Sequence, residues 1–248
     1  MQPASTRRIQ PIVALRAFRK LVRNPEDTHQ VFMIGEALRG HSLARATQRF
    51  RATAIGRETL AGRDRLMPLL AERAALGALP PGSLGRAYLD FVVSENLSAQ
   101  GLAEAARQRD EMSAATADEQ AFRRRLRDSH DLWHVLTGYG RDPLGEVCLL
   151  AFTYAQTRQN GIGVIALLGA FRIGRVLRGL PVRAAVLEAY RAGRDAAWLP
   201  AEDWGPRMPQ DLSRARESLK VTAASQYLRI IGQVNRERAG VRPADALT

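Results

Sequence analysis

Apolar residues recur at spacings of three and four along nearly the whole chain, and no run alternates apolar and polar residues with a period of two. That spacing is the signature of helices that bury one face, and it leaves no candidate for a sheet. Ala, Leu, Arg and Glu dominate, and all four favour helix. Proline and glycine cut the pattern into segments. A first helix is expected over about 9–23, with Leu15, Phe18 and Val22 on one face, and a second over about 29–38 capped by Asp27 or Thr28. "SLARATQRFRAT" and "GRETLAGRDRLMPLLAERAAL" follow, the latter with a break near Gly62. Helical spacing returns over about 84–95. "TADEQAFRRRLRDSHDLWHVLTG" reads as one long helix ending at Gly138 or Gly140. In "RDPLGEVCLLAFTYAQTRQ", Asp142 fits the N-cap and Pro143 the first helical position. An apolar helix then runs to about 178, and "PVRAAVLEAYRAGRDAAWL", "PQDLSRARESLKV" and a segment near 224–237 complete the set. The expectation is all-α: one helical bundle spanning 1–248, with residues 221–248 as a helical tail and no internal repeat.

Composition narrows the function. The single cysteine, Cys148, permits no intrachain disulfide and excludes four-cysteine zinc sites and cysteine-held iron–sulfur clusters. The formal charge is +12, and every cation except Lys20 and Lys220 is Arg. Arginine suits phosphate and carboxylate partners, but such a bias also arises in a soluble protein of an Arg-rich proteome. The chain has no basic low-complexity arm, zinc-finger spacing or RNP-type motif, and aromatics make up only 6%. Nucleic acid is therefore not expected as a partner. "QNGIGVIALLGAF" is too short to span a bilayer, which takes about 20 apolar residues. No acid precedes Glu26, a faint likeness to a transit peptide, but a first helix accounts for the segment more simply.

Chemistry concentrates in "SHDLWHVLTGYGRDPLGE". His130 and His134 sit about 40° apart on a helix, and Asp131 about 60° from His134. The turn "GYGRD" reverses the chain and brings Glu146, in the first turn of the next helix, towards the same point. Two imidazoles and two carboxylates so placed form a divalent-metal site between two consecutive helices. Zinc, iron(II), cobalt and manganese all accept that donor set. Three ligands leave open positions; four leave a zinc little room for substrate. The alternatives are a buried polar network, with His134 bonded to Asp131, a metalloprotease, or a phosphohydrolase of the His-Asp type. The protease pattern needs a glutamate where Asp131 stands. The phosphohydrolase pattern needs a further histidine and aspartate, for which His41 and Asp142 are candidates.

The pattern His-Asp-x-x-His, eleven residues, then Glu resembles the ubiquinone (coenzyme Q) biosynthesis protein 4 family, in its bacterial-type form. "LVRNPEDTHQVFMIGEALRG", "LPPGSLGRAYLDFV", "GYGRDPLGEVCLLAFTYAQ" and "AYRAGRDAAWLP" are similar to family segments in the same order, and the likeness covers about 12–220. One departure is Gly205, where relatives often carry a glutamate after the tryptophan. The resemblance implies a helical protein holding a divalent metal, most often zinc, through His130, Asp131, His134 and Glu146. It implies peripheral attachment to a membrane: the cytoplasmic face of the inner membrane in a bacterium, the matrix side of the inner membrane in a mitochondrion. It implies a role in oxidative removal of the ring carboxyl from a polyprenylated 4-hydroxybenzoate intermediate, leaving a hydroxyl, with those four residues as the catalytic set. The other role it allows is a non-catalytic, metal-stabilised lipid-binding scaffold for a biosynthetic complex. Partners would be an isoprenoid lipid, the membrane surface, other ubiquinone biosynthesis proteins and a second copy in a homodimer.

The residues accommodate this. "GIGVIALLGAF" provides an apolar groove for an isoprenoid tail, with Gly161, Gly163 and Gly169 keeping the wall low. Arg172, Arg175 and Arg178 form a stripe suited to anionic headgroups. Tyr139 and Arg141, in the turn, are candidates for gripping a phenol or carboxylate. Gln156 and Asn160 are more distant candidates, Gln156 about 15 Å along the helix from Glu146.

Overall fold

Caps and breakers in the sequence set the helix ends. Ser83 accepts a hydrogen bond from Arg86 N at 3.3 Å, and Thr116 and Glu119 form a reciprocal capping box. Gly138 ends its helix in the left-handed conformation (φ 80°), as a C-terminal glycine does. The computed structural model describes residues 9–23, 28–38, 40–95 and 115–239; Asp27 and the outermost termini lie outside them. Among the described residues are fourteen α-helices and no strand, only an isolated bridge between Ser83 and Asp211.

The helices are α1 (Pro11–Arg23), α2 (Thr28–Leu38), α3 (Ser42–Arg51), α4 (Ala54–Leu60), α5 (Leu66–Ala71), α6 (Arg73–Gly77), α7 (Leu84–Ser94), α8 (Ala117–Asp128), α9 (His130–Thr137), α10 (Pro143–Thr157), α11 (Asn160–Val176), α12 (Val182–Asp195), α13 (Leu212–Ser218) and α14 (Ser225–Arg238). The expected break near Gly62 is present, between α4 and α5. The single helix expected over 116–138 is two. Ser129 interrupts it, and its hydroxyl donates to the Arg125 and Leu126 carbonyls at 2.9 and 3.1 Å. A serine bonded back onto the preceding turn bends a helix.

The centre of the molecule is α10, which packs against α11 and α12. It is buried almost all round, with Leu144, Val147, Cys148, Leu149, Phe152 and Ala155 inside. Helix α12 packs on it, and the buried positions of α12 include Ala185, Ala189, Ala192 and Gly193. A methyl group on Gly193 would fall 2.6 Å from the Phe152 carbonyl oxygen, so the two backbones touch. A smaller cluster, built on Leu43, Ala46, Phe50 and Phe122, joins α3 and α8.

Two glycines expected along a groove instead set helix contacts. A Cβ on Gly161 would lie 2.7 Å from Gly35 Cα of α2, and one on Gly169 would lie 2.4 Å from Val147. Gly163 does line an open apolar trough of about 340 Å³ between α10, α11 and α12, with Ala151, Tyr154, Ala166, Phe171 and Leu187. The first helix also turns differently from expectation. Ala14 and Ala17 are buried against the body, whereas Ile12 and Leu15 are 65% and 49% exposed. Small side chains let α1 lie close on α2, and the larger ones are left outside.

The Gly193 contact gives a paired prediction. Gly193→Ala should destabilise the fold by about 1–3 kcal/mol through overpacking. Gly174→Ala, where no atom lies within 4 Å of the new methyl, should stabilise by up to about 1 kcal/mol through helix propensity. Denaturant midpoints at constant slope measure both.

Candidate metal centre

Of the fifteen residues of helix α10, Glu146 alone is charged. That is the signal marking this carboxylate as more than surface decoration. Glu146 lies in the first turn, and its neighbours are the two histidines of α9. His130 Nε2 and His134 Nε2 are 3.1 Å apart. Each lies 3.5 Å from a Glu146 oxygen. One ligand atom from each of the three residues lies within 4.8 Å of the others.

The turn between the helices explains the convergence. Asp142 Oδ1 accepts from Leu144 N and Gly145 N at 3.0 and 3.2 Å, starting α10. Gly145 must be glycine, because a Cβ there would lie 2.0 Å from the Gly140 carbonyl oxygen. Gly140 is crowded in the same way, by the Tyr227 hydroxyl at 2.6 Å. From the other side, Arg216 of α13 donates to the Leu136 and Val135 carbonyls at 2.8 and 3.0 Å, capping the end of α9.

The chemistry of these donors fits a divalent cation. The Tyr139 carbonyl, 2.9 Å from His134 Nδ1, can only accept, so Nδ1 carries the proton. Nε2 of His134 then presents a lone pair, the form a metal requires. Two nitrogens each about 2.0–2.1 Å from one tetrahedral zinc are separated by about 3.3 Å; the observed 3.1 Å is close to that. Phe91 stacks on the His134 ring with centroids 5.7 Å apart, fixing its plane. Burial opposes the charge of Glu146, but the imidazoles of His130 and His134 beside it outweigh that and hold the carboxyl down at about 2.

Asp131 stands outside the group of three. Its field falls on Tyr88, whose hydroxyl is pushed up to about 12, chiefly by burial and secondly by Asp131. Arg141 is close: its guanidinium is 3.8 Å from both Glu146 and Glu95, and about a third exposed. Tyr139 contributes its carbonyl, while its ring is buried against Tyr227. Gln156 is fully engaged elsewhere. Its amide nitrogen donates to the Gly193 and Ala197 carbonyls at 2.6 and 3.1 Å, and its oxygen accepts from Leu199 N at 2.9 Å. Asn160 begins α11, its backbone N–H donating to Ser42 Oγ at 3.2 Å. The residues a phosphohydrolase would need are not in the cluster: Asp142 is the cap, and His41 precedes α3.

The chain matches a known family. A model described as coenzyme Q (ubiquinone) biosynthesis protein Coq4 matches residues 6–225. The chain belongs to the Coq4 family. A mitochondrial ubiquinone biosynthesis protein COQ4 homologue of Danio rerio is 28% identical over 201 residues, covering 81% of this chain and 72% of that one. The human mitochondrial COQ4 homologue is 28% identical over 205 residues, covering 83% and 75%. The fold is also that of a crystal structure from Nostoc punctiforme, described as a ubiquinone biosynthesis protein: TM-score 0.60, 20% identity, 87% of this chain and 100% of that one. Gly205 borders a separate recess of about 310 Å³ beside Arg125 and Trp204. A side chain there would meet only Asp203 Oδ1, at 3.5 Å, so crowding does not require the glycine.

His130 offers a clean test, since its side chain is 36% exposed. His130→Ala should weaken zinc binding by at least about 10-fold in equilibrium dialysis, while shifting the stability of the zinc-free protein by less than about 1 kcal/mol.

Proposed function

We propose that this Coq4-family protein exchanges the ring carboxyl of a polyprenylated 4-hydroxybenzoate intermediate for a hydroxyl, at a membrane surface, using a divalent metal. The observation that carries the reading is the convergence of His130 Nε2, His134 Nε2 and a Glu146 oxygen on one point, with a lone pair enforced on His134. His130, His134 and Glu146 would hold the metal, zinc or iron(II), and Asp131 would complete the set only by turning its side chain. A bound divalent metal supplies Lewis-acid activation of a coordinated oxygen, and iron(II) adds redox chemistry.

The chain's own groups divide the remaining work. Arg141, at the rim beside Glu146, is placed to pair with the substrate carboxylate and orient the ring. Phe91 and the Tyr139 carbonyl keep the His134 imidazole from rotating. The apolar trough begins at Ala151, five residues beyond Glu146 and so about 7.5 Å along the helix axis. It offers an isoprenoid tail a wall of Tyr154, Ala166, Phe171 and Leu187. The net change, loss of carbon dioxide and gain of a hydroxyl, is a two-electron oxidation: with dioxygen as oxidant and water as co-reactant, carbon dioxide, the hydroxylated ring and hydrogen peroxide are the products that balance it.

Membrane contact has support from the surface. No helix among the described residues is long and apolar enough to cross a bilayer. Leu167, Phe171 and Val176 are exposed on α11 beside Arg172, Arg175 and Arg178. On α1, Ile12 and Leu15 are exposed with Arg16, Arg19 and Lys20. Apolar side chains flanked by cations suit an anionic lipid interface. The location would follow the host: the inner membrane of a mitochondrion, the organelle that the relatives' names give, or a bacterial inner membrane.

Turnover decides the reading. Protein reconstituted with iron(II) or zinc and given a short-tailed substrate should release carbon dioxide under air, with mass spectrometry showing the hydroxylated ring. His134→Ala should lower the rate at least about 100-fold. Absence of metal-dependent carbon dioxide release with either metal would leave the lipid-binding scaffold as the better account. Separately, replacing Arg172, Arg175 and Arg178 together by Glu should abolish co-sedimentation with phosphatidylglycerol vesicles while leaving the unfolding free energy within about 1 kcal/mol of wild type.

A further inference from the structure

We infer that Tyr227, on the C-terminal helix α14, is a positioning residue for the metal centre: its hydroxyl fixes the turn from which both metal-binding helices hang. The inference rests on the metal reading above. The Tyr227 hydroxyl donates to Asp142 Oδ2. The same oxygen accepts from Gly140 N at 2.9 Å. One phenol therefore spans the turn, 87 and 85 residues away in sequence.

Each contact leads to a ligand. The Asp142 carboxylate that receives the phenol also caps α10 through its other oxygen, at Leu144 N and Gly145 N. That cap sets the first turn of α10, which carries Glu146. Gly140 follows Tyr139, whose carbonyl accepts the proton of His134 Nδ1. The Tyr139 ring in turn meets the Tyr227 ring edge-on, with centroids 5.5 Å apart and planes at 81°. Residues 139–142 are thus held at three points by one side chain. The fit is reciprocal: Gly140 has no room for a Cβ because the Tyr227 hydroxyl occupies that place. Burial, together with the bond to Asp142, keeps the phenol protonated and so able to donate.

The rest of α14 does not depend on this hydroxyl. Ser225 Oγ and Gln226 N bond to the Glu188 carboxylate of α12 at 2.9 and 3.0 Å. Ile230 is buried in the main core. Removing one oxygen from Tyr227 therefore leaves the helix docked. The family match ends at residue 225, so this contact comes from beyond the matched segment.

The test uses the full-length protein and cobalt(II) alone as probe. Affinity is measured by competition titration, and geometry by the visible d–d absorption. Tyr227→Phe should raise the cobalt Kd by about 10-fold or more, the scale of other supporting groups around metal ligands, and should alter the d–d bands. Ile230→Val, which loosens the packing of α14 without touching the hydroxyl, should leave both as in wild type. Wild-type Kd and bands in Tyr227→Phe would overturn the inference, as would an equal loss in Ile230→Val. If the wild-type protein itself takes up no cobalt, the metal reading falls and takes this inference with it. An unaffected Tyr227→Phe beside a cobalt-binding wild type removes this inference alone.

Discussion

A hydrogen bond from an imidazole to a carbonyl in a tight turn organises this molecule. His134 sits inside the protein and cannot choose its orientation freely. Its Nδ1 proton goes to the Tyr139 carbonyl, and that carbonyl is where it is because the chain reverses within a few residues. The reversal in turn requires backbone to touch backbone at Gly145, and Gly140 leaves the place that the Tyr227 hydroxyl fills. One lone pair, on His134 Nε2, is therefore aimed by contacts reaching from α7 to α14. The half-exposed partners, His130 and Glu146, complete a group whose orientation is already set by its buried member. This is the arrangement expected where chemistry needs a rigid imidazole and an accessible face.

The sequence carried much of this, and the reasons for its failures are physical. Helix positions followed from apolar spacing and from punctuation by Gly62, Asp142 and Gly138, because these residues act on their own neighbours. The approach of His130, His134 and Glu146 was legible too, since it follows from helix geometry and one turn. What escaped were a side chain's choice of hydrogen-bond partner and interactions between distant residues. Ser129 looked like any helical serine; its hydroxyl's choice of the preceding carbonyls has no pattern to announce it. Gln156 looked like a polar group near a site, but three backbone partners at 193, 197 and 199 claim it. Leu15 follows helical spacing, yet spacing defines a face without saying which face is covered. Here the alanines were.

The arginine content also divides in a way that composition conceals. Arg125 is 4% exposed and joins Asp64 to the carbonyls of Pro200 and Glu202. Arg216 caps α9, with burial lowering its pKa. Arg158 stacks over Tyr154 and Tyr190. These guanidiniums hold helix ends and loops together, a task suited to several donors in one plane. Others, on α1 and α11, stand exposed among apolar side chains. A net charge of +12 is thus the sum of internal fastening and surface potential, and only the second can attract a partner.

The bonds from Tyr227 to residues 140 and 142 have a consequence for biogenesis. A ribosome delivers both histidines and Glu146 long before it delivers the helix that seals the turn between them. A nascent chain, or one cut short ahead of α14, therefore holds every ligand while lacking their final restraint. With Tyr227 as the restraint inferred above, His130, His134 and Glu146 reach their finished arrangement only once α14 has emerged and docked.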